Sequence, residues 1–111
     1  MESTRQKKIS ALIQKEMSII FQRKANEYSN KLISVTIVRT APDLSSAKIY
    51  LSIFPEENKE TIFSEIKSNK NNLRFELGNR IKNQVRKIPD LFFYIDDSLD
   101  YAEKIENLLK K

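Results

Sequence analysis

Apolar positions along this chain recur first at helical and then at strand spacing, and each change of period marks an element. Between Lys8 and Lys24 the residues Ile9, Leu12, Ile13, Met17, Ile20 and Phe21 return at three- and four-residue steps, which predicts an amphipathic helix. Its polar side carries Lys7, Lys8, Lys15, Arg23 and Lys24. From Ile33 to Thr40, Ile33, Val35 and Ile37 alternate with polar neighbours among many β-branched side chains, the pattern of a strand. The run Ala41-Pro42-Asp43-Leu44-Ser45-Ser46 suits a turn. After it Ala47, Ile49, Leu51 and Ile53 alternate up to Phe54, with Lys48, Tyr50 and Ser52 on the opposite face, so the two strands should form a hairpin.

Pro55 ends the second strand, and Asn58 is placed to cap a helix that turns Ile62, Phe63 and Ile66 inward. Ser68-Asn69-Lys70-Asn71-Asn72 interrupts that helix, because Ser and Asn side chains compete for backbone hydrogen bonds and Asn tolerates left-handed angles. A kink is expected there. Leu73, Leu77, Ile81, Val85 and Ile88 resume the helical period until Pro89. Leu91-Phe92-Phe93-Tyr94-Ile95 reads as a buried third strand. Asp97 or Ser98 then caps a last helix whose stripe is Ala102, Ile105, Leu108 and Leu109. The order is α-β-β-α-α-β-α, an α+β fold with a three-stranded sheet packed against helices. With 111 residues, 40% of them hydrophobic, and no repeat or linker, residues 1–111 are expected to form one domain.

Composition narrows the chemistry. Cysteine and histidine are absent, which removes disulfides, the usual zinc ligand sets, the common nucleophile pairs and the commonest general base. Gly78 is the only glycine, so neither a P-loop nor a dinucleotide fingerprint can be built. No apolar run reaches the roughly 20 residues that cross a bilayer, and no signal-peptide core follows the polar Met1–Ser10, so a soluble, cytoplasmic protein is expected. The net charge of +5 is unevenly distributed, +8 over residues 1–89 and −3 over residues 90–111. Such an excess attracts polyanions, of which nucleic acid is the commonest in a cytosol.

The densest cationic stretch, from Lys67 to Pro89, holds Lys67, Lys70, Arg74, Arg80, Lys82, Arg86 and Lys87 against the single acid Glu76. Lys67, Lys70 and Arg74 follow one another on adjacent turns across the kink and could track a phosphate backbone. Positions 80, 82 and 87 spread around the helix. Asn69 and Asn71 at the kink offer amide donors, and Lys7 and Lys8 extend the surface. Each of these features also has a plainer reading, as a solvated face or a helix cap. Tyr50, Phe92, Phe93 and Tyr94 could stack on unpaired bases, but core packing is the preferred expectation, with only Tyr50 showing an exposed hydroxyl. Asp96, Asp97 and Asp100 are better explained by capping and the helix dipole than by a magnesium site. No metal, cofactor or catalytic set is expected.

Several runs resemble the ribosome-binding factor A family almost end to end. They are Ile9-Ser10-Ala11-Leu12-Ile13-Gln14-Lys15-Glu16, then Val35-Thr36-Ile37-Val38 leading to Asp43-Leu44-Ser45-Ser46-Ala47-Lys48-Ile49-Tyr50, then Leu73-Arg74-Phe75-Glu76-Leu77-Gly78, and Arg86-Lys87-Ile88-Pro89-Asp90-Leu91-Phe92-Phe93 followed by Asp96-Asp97-Ser98. The resemblance implies a type II KH-related fold and binding to small-subunit ribosomal RNA near the decoding-site neck. It further implies a part in late small-subunit maturation, 16S rRNA processing and cold adaptation, without catalysis, by a protein that is monomeric when free. The alternatives are a protein-interaction adaptor and a KH-like RNA-binding protein not tied to the ribosome. Where that family usually carries an Ala-x-Gly kink, this chain has Asn69-Lys70-Asn71 counting back from Arg74, or Asn71-Asn72-Leu73 counting back from Pro89.

Overall fold

A computed structural model of the chain describes residues 3–96. It contains α1 (Thr4–Arg23), a short 3-10 helix (Ala25–Tyr28), β1 (Leu32–Thr40), β2 (Ser46–Phe54), α2 (Lys59–Ser68), α3 (Lys70–Ile81) and β3 (Asp90–Ile95). The order through β3 is the one read from periodicity, with the 3-10 helix added. The last helix expected from the sequence lies outside the described residues. β2 is the central strand, antiparallel to β1 and parallel to β3. A parallel pair needs a long crossover, and the α2–α3 hairpin supplies it. This is the α+β, KH-like arrangement that the resemblance implied.

α1 begins with a capping box: the Ser3 hydroxyl accepts from the Gln6 amide at 3.1 Å while the Ser3 amide donates to Gln6 Oε1 at 2.8 Å. The same Gln6 side chain donates to the Thr40 carbonyl at 3.0 Å, which ties the start of α1 to the end of β1. Further along the helix, Gln14 Nε2 donates to the carbonyls of Val35 and Thr36 at 3.1 and 3.2 Å. Those carbonyls sit at a bulge, where the β1–β2 register shifts between Val35 and Ile37. The bulge changes the parity of the strand. Ile33 and Val35 face the helices before it, Val38 and Thr40 after it, and Ile37 is turned outward and 38% exposed. The alternation in the sequence had placed Ile37 on the inner face; one extra residue in β1 moves it to the other.

The core lies between the sheet and the helices. Ala47, Ile49, Leu51 and Ile53 of β2 meet Ile13, Met17, Ile20 and Phe21 of α1, together with Ile62, Ile66, Leu73, Leu77 and Ile81 of the α2–α3 hairpin. Full burial of each large aliphatic chain contributes roughly 1.5–3 kcal/mol. β3 is not wholly buried as its composition suggested: Leu91 and Phe93 face the core, while Phe92 and Tyr94 turn outward, 43% and 41% exposed. The described helices cover only one face of the sheet, so a period of two leaves alternate residues of even an apolar strand outside.

Two other expectations need correction. The interruption between α2 and α3 narrows to Asn69, with φ −92° and ψ 13°, while Asn71 and Asn72 lie within α3. α3 itself stops at Ile81 rather than running to Pro89. Beyond it Gln84 and Val85 donate their amides to the Ile81 carbonyl, and the chain then extends to enter β3, as residues ahead of a proline prefer. Val85 and Ile88 still pack on the core, which is why they keep the helical spacing without being helical. Asn58 does precede α2, at φ 61°, but its side chain makes no cap bond; its tolerance of the left-handed region is what suits the position. Lys31, unremarked in the sequence, is buried and donates from Nζ to the carbonyls of Pro55 and Glu57, holding the loop that leads into α2.

Gly78 owes its place to close packing. A Cβ there would lie 3.3 Å from Ile88 Cγ1, tighter than an ordinary contact, so a side chain at position 78 presses on the Ile88 side chain before β3. Gly78→Val should lower stability by about 1–3 kcal/mol through overpacking against Ile88. The check is a reduced urea midpoint at unchanged m-value, with Gly78→Ala much closer to the parent.

Candidate nucleic-acid interface

α1 and α3 run antiparallel, as shown by ion pairs that climb one helix while descending the other. Arg80 Nε lies 2.5 Å from Glu16 Oε2, and Lys24 Nζ lies 3.3 Å from Glu76 Oε2 and 3.1 Å from Glu27 Oε2. Burial disfavours the Lys24 ammonium, but hydrogen bonds and charge from Glu27 and Glu76 outweigh it and hold the pKa above the usual lysine value. The ion pairs are only partly exposed, so they help to fix how the two helices pack.

Two of the predicted RNA-binding arginines are therefore engaged inside the molecule. Besides the Arg80–Glu16 pair, Arg74 donates from Nε to the Pro89 carbonyl at 3.0 Å and from Nη2 to the Ile88 carbonyl at 2.7 Å, with Asp90 3.6 Å away. The Arg74 guanidinium thus bridges α3 and the start of β3, satisfying carbonyls that no strand or helix engages. Asn69 is similarly occupied, its amide donating to the buried Tyr28 hydroxyl at 3.1 Å. The sequence shows that these side chains are polar and closely spaced; it does not show Tyr28, Glu16 or the Ile88 and Pro89 carbonyls arriving beside them.

The remaining predicted residues form two groups, one at each end of α3, rather than one continuous track. At the kink, Lys67 Nζ lies 4.9 Å from the centre of the Phe63 ring and Lys70 Nζ 4.4 Å from that of Phe92. These lysines and residues 91–94 of β3 line an open groove of about 170 Å³. Asn71 is exposed on the first turn of α3. At the other end Lys82, Arg86 and Lys87 are exposed, and Arg86 and Lys87 share a cavity of about 310 Å³ with Arg5 of α1. Lys7 and Lys8 are exposed on the first turns of that helix. Arg5 was missed because it precedes the apolar stripe; only its position on the extended first turn brings it here. Asp43, in the same cavity, has its carboxyl held below the usual range, first by hydrogen bonds from Ser45 and also by the Lys87 charge. A helix of 12 residues separates the groups, about 18 Å along its axis.

Such an arrangement suits a polyanion that meets the protein at two places more than a small ligand held at one. Among the described residues no helix is long and apolar enough to cross a membrane. Comparison with known proteins places the chain in a family. The family model for ribosome-binding factor A matches residues 5–109. The chain is 49% identical over its full length to ribosome-binding factor A of Cytophaga hutchinsonii, covering 84% of that relative. It is 49% identical to the protein of that name from Flavobacterium psychrophilum, covering 98% of this chain and 85% of the relative. Among solved structures, ribosome-binding factor A from Thermus thermophilus superposes with a TM-score of 0.68 at 22% identity, over 81% of this chain and 94% of that one. A model of the Thermus protein fitted into an electron-microscopy map of its 30S complex gives 0.64 at 21% identity, over 79% and 91%.

The division between internally bonded and exposed cations has a direct consequence for stability. Arg74→Met and Arg80→Met should each cost about 1–3 kcal/mol, by leaving buried carbonyls or a half-buried carboxylate without a donor. Lys82→Ala, Arg86→Ala and Lys87→Ala should stay within about 0.5 kcal/mol of the parent. Thermal unfolding of the five single variants distinguishes the two classes; equal losses in both would show that the arginine bonds do not matter to the fold.

Proposed function

Because the chain belongs to the ribosome-binding factor A family, we propose that it is a non-enzymatic assembly factor for the small ribosomal subunit, acting in the cytoplasm as one KH-like unit. It binds small-subunit ribosomal RNA in immature or free subunits, mainly through phosphates, and so assists late maturation, including 16S rRNA processing and growth in the cold. The observation that carries the RNA contact is the pair of exposed cation groups left at the ends of α3 once Arg74 and Arg80 are assigned to the fold.

The physical case rests on desolvation and charge. Lys67, Lys82, Arg86 and Lys87 are exposed and Lys70 is half-buried with its ammonium over the Phe92 ring, so a phosphate reaches them without breaking a buried hydrogen bond. Each neutralised phosphate releases condensed counterions, so several weak interactions at two separated places add up, and their separation makes the sum depend on RNA shape. The absence of cysteine and histidine agrees with a binding role rather than a hydrolytic one. No cofactor enters this reading.

The test is co-sedimentation with purified small subunits across a salt series, using Lys67→Glu/Lys70→Glu and Lys82→Glu/Arg86→Glu/Lys87→Glu with Arg74 and Arg80 left intact. Parent binding should fall steeply with salt. Each variant should weaken binding about tenfold or more and flatten the logarithmic salt slope by roughly 0.7–0.9 for every phosphate that is no longer neutralised. Salt-independent binding, or binding that ribonuclease leaves untouched, would favour a protein-contact adaptor instead.

A further inference from the structure

The face of the sheet that the described helices leave uncovered carries rings and cations in matched rows. Across the strands, Ile37 pairs with Tyr50 and Tyr50 with Tyr94, while Arg39 pairs with Lys48 and Lys48 with Phe92. All six side chains sit on the outer face, because their strand neighbours Val38, Ile49 and Phe93 point into the core. The Tyr50 and Tyr94 rings stack, with centroids 5.4 Å apart and planes 27° from parallel. Phe92 lies beside them, one ring face approached by the Lys70 ammonium.

We propose that this face stacks unpaired RNA bases, two successive nucleotides on Phe92 and on the Tyr94–Tyr50 pair. The inference rests on the RNA reading above and adds to it a base-stacking surface that adjoins the cation group at the kink and shares Lys70 with it. Phe92 and Tyr94 are two residues apart on one strand, about 6.6 Å, so the rings are offered one after another along an extended path. Arg39, Lys48 and Lys70 border the rings, which supplies charge for the phosphates that link the bases. Asp96, the described acid at the end of β3, accepts a hydrogen bond from Thr36. An apolar partner helix would be poorly matched by a face whose first row is Arg39–Lys48–Phe92. Flat rings edged by cations are what single-stranded nucleic acid requires, since every base has a π face and every linkage a negative charge.

Two probes and two variants of the full chain test this. The probes are an unstructured oligoadenylate of eight nucleotides and a small-subunit preparation, the first read by fluorescence anisotropy and the second by co-sedimentation. Phe92→Val/Tyr94→Val keeps β-branched side chains that suit the strand and removes both rings. It should bind the oligonucleotide about tenfold or more weakly while keeping its unfolding temperature. Tyr94→Trp provides the second measurement: the chain has no other tryptophan, so emission should be that of a wet indole and should be quenched when the oligonucleotide stacks on it. Unchanged oligonucleotide affinity in the double valine variant, with small-subunit binding intact, overturns the stacking face and leaves the phosphate reading standing. Emission of a dry indole in the free protein also overturns it, by showing that residues 97–111 or a second copy already cover the face. Failure of the parent to bind either probe overturns both readings together.

Discussion

The described helices lie on one face of a three-stranded sheet, and that one-sidedness decides what every strand residue does. Strand side chains alternate, so each residue that goes under the helices obliges its neighbour to face the other way. β2 shows the constraint most clearly: Ala47, Ile49, Leu51 and Ile53 are buried, and Lys48, Tyr50 and Ser52 cannot be. Pairing then transmits the choice sideways. Ile49 fixes Val38 and Phe93 inward, and Tyr50 fixes Ile37 and Tyr94 outward. A hydrophobic side chain on the outer face is therefore a consequence of register, and its retention there needs a reason other than the core.

The same geometry explains why cations of one sequence stretch divide into two kinds. α3 is packed against both α1 and the segment that enters β3, and positions on its flanks meet polar groups of those neighbours. Arg74 and Arg80 lie on the flanks and are long enough to reach carbonyls and a carboxylate that would otherwise be poorly satisfied. Lys67, Lys82, Arg86 and Lys87, beyond the ends of the helix, are exposed, and Lys87 shares its surroundings with the Asp43 carboxylate. The fold thus uses Arg74 and Arg80 for internal bonds, and the exposed positive charge lies towards the ends of α3 rather than along its length.

Much of this was legible in the sequence, and the failures have physical causes. The element order through β3, the hairpin and the buried stripes of α1 and α2 follow from period alone, because local spacing and burial agree there. Alternation puts Ile37 on the wrong face because it does not reveal a bulge: nothing in Val35-Thr36-Ile37-Val38 shows that Gln14, 21 residues away from Val35, will claim the spare carbonyls. Periodicity overextends α3 because Val85 and Ile88 pack partly buried on the core at helical spacing by a non-helical path. The kink was read too wide because Asn propensity is a local quantity, while the Asn69 amide is held by Tyr28, 41 residues earlier.

The aromatic residues of β3 show most sharply where pattern stops and structure begins. An unbroken run of Leu, Phe, Phe, Tyr and Ile normally belongs to a strand covered on both sides, since leaving alternate rings in water forgoes their burial. Here β3 is an edge strand with its described cover on one side, and the rings that turn outward are aligned by register with Tyr50 and with two cations. Chance would place a stray ring on a surface easily, but it would not place three in adjacent rows beside Arg39, Lys48 and Lys70. A second covering layer would make the composition of β3 ordinary and the cations costly, because charges drawn under an apolar layer must lose their water. A flat, negatively charged strand makes both ordinary at once: bases cover the rings, and phosphates stay with the ammonium and guanidinium groups at the rim.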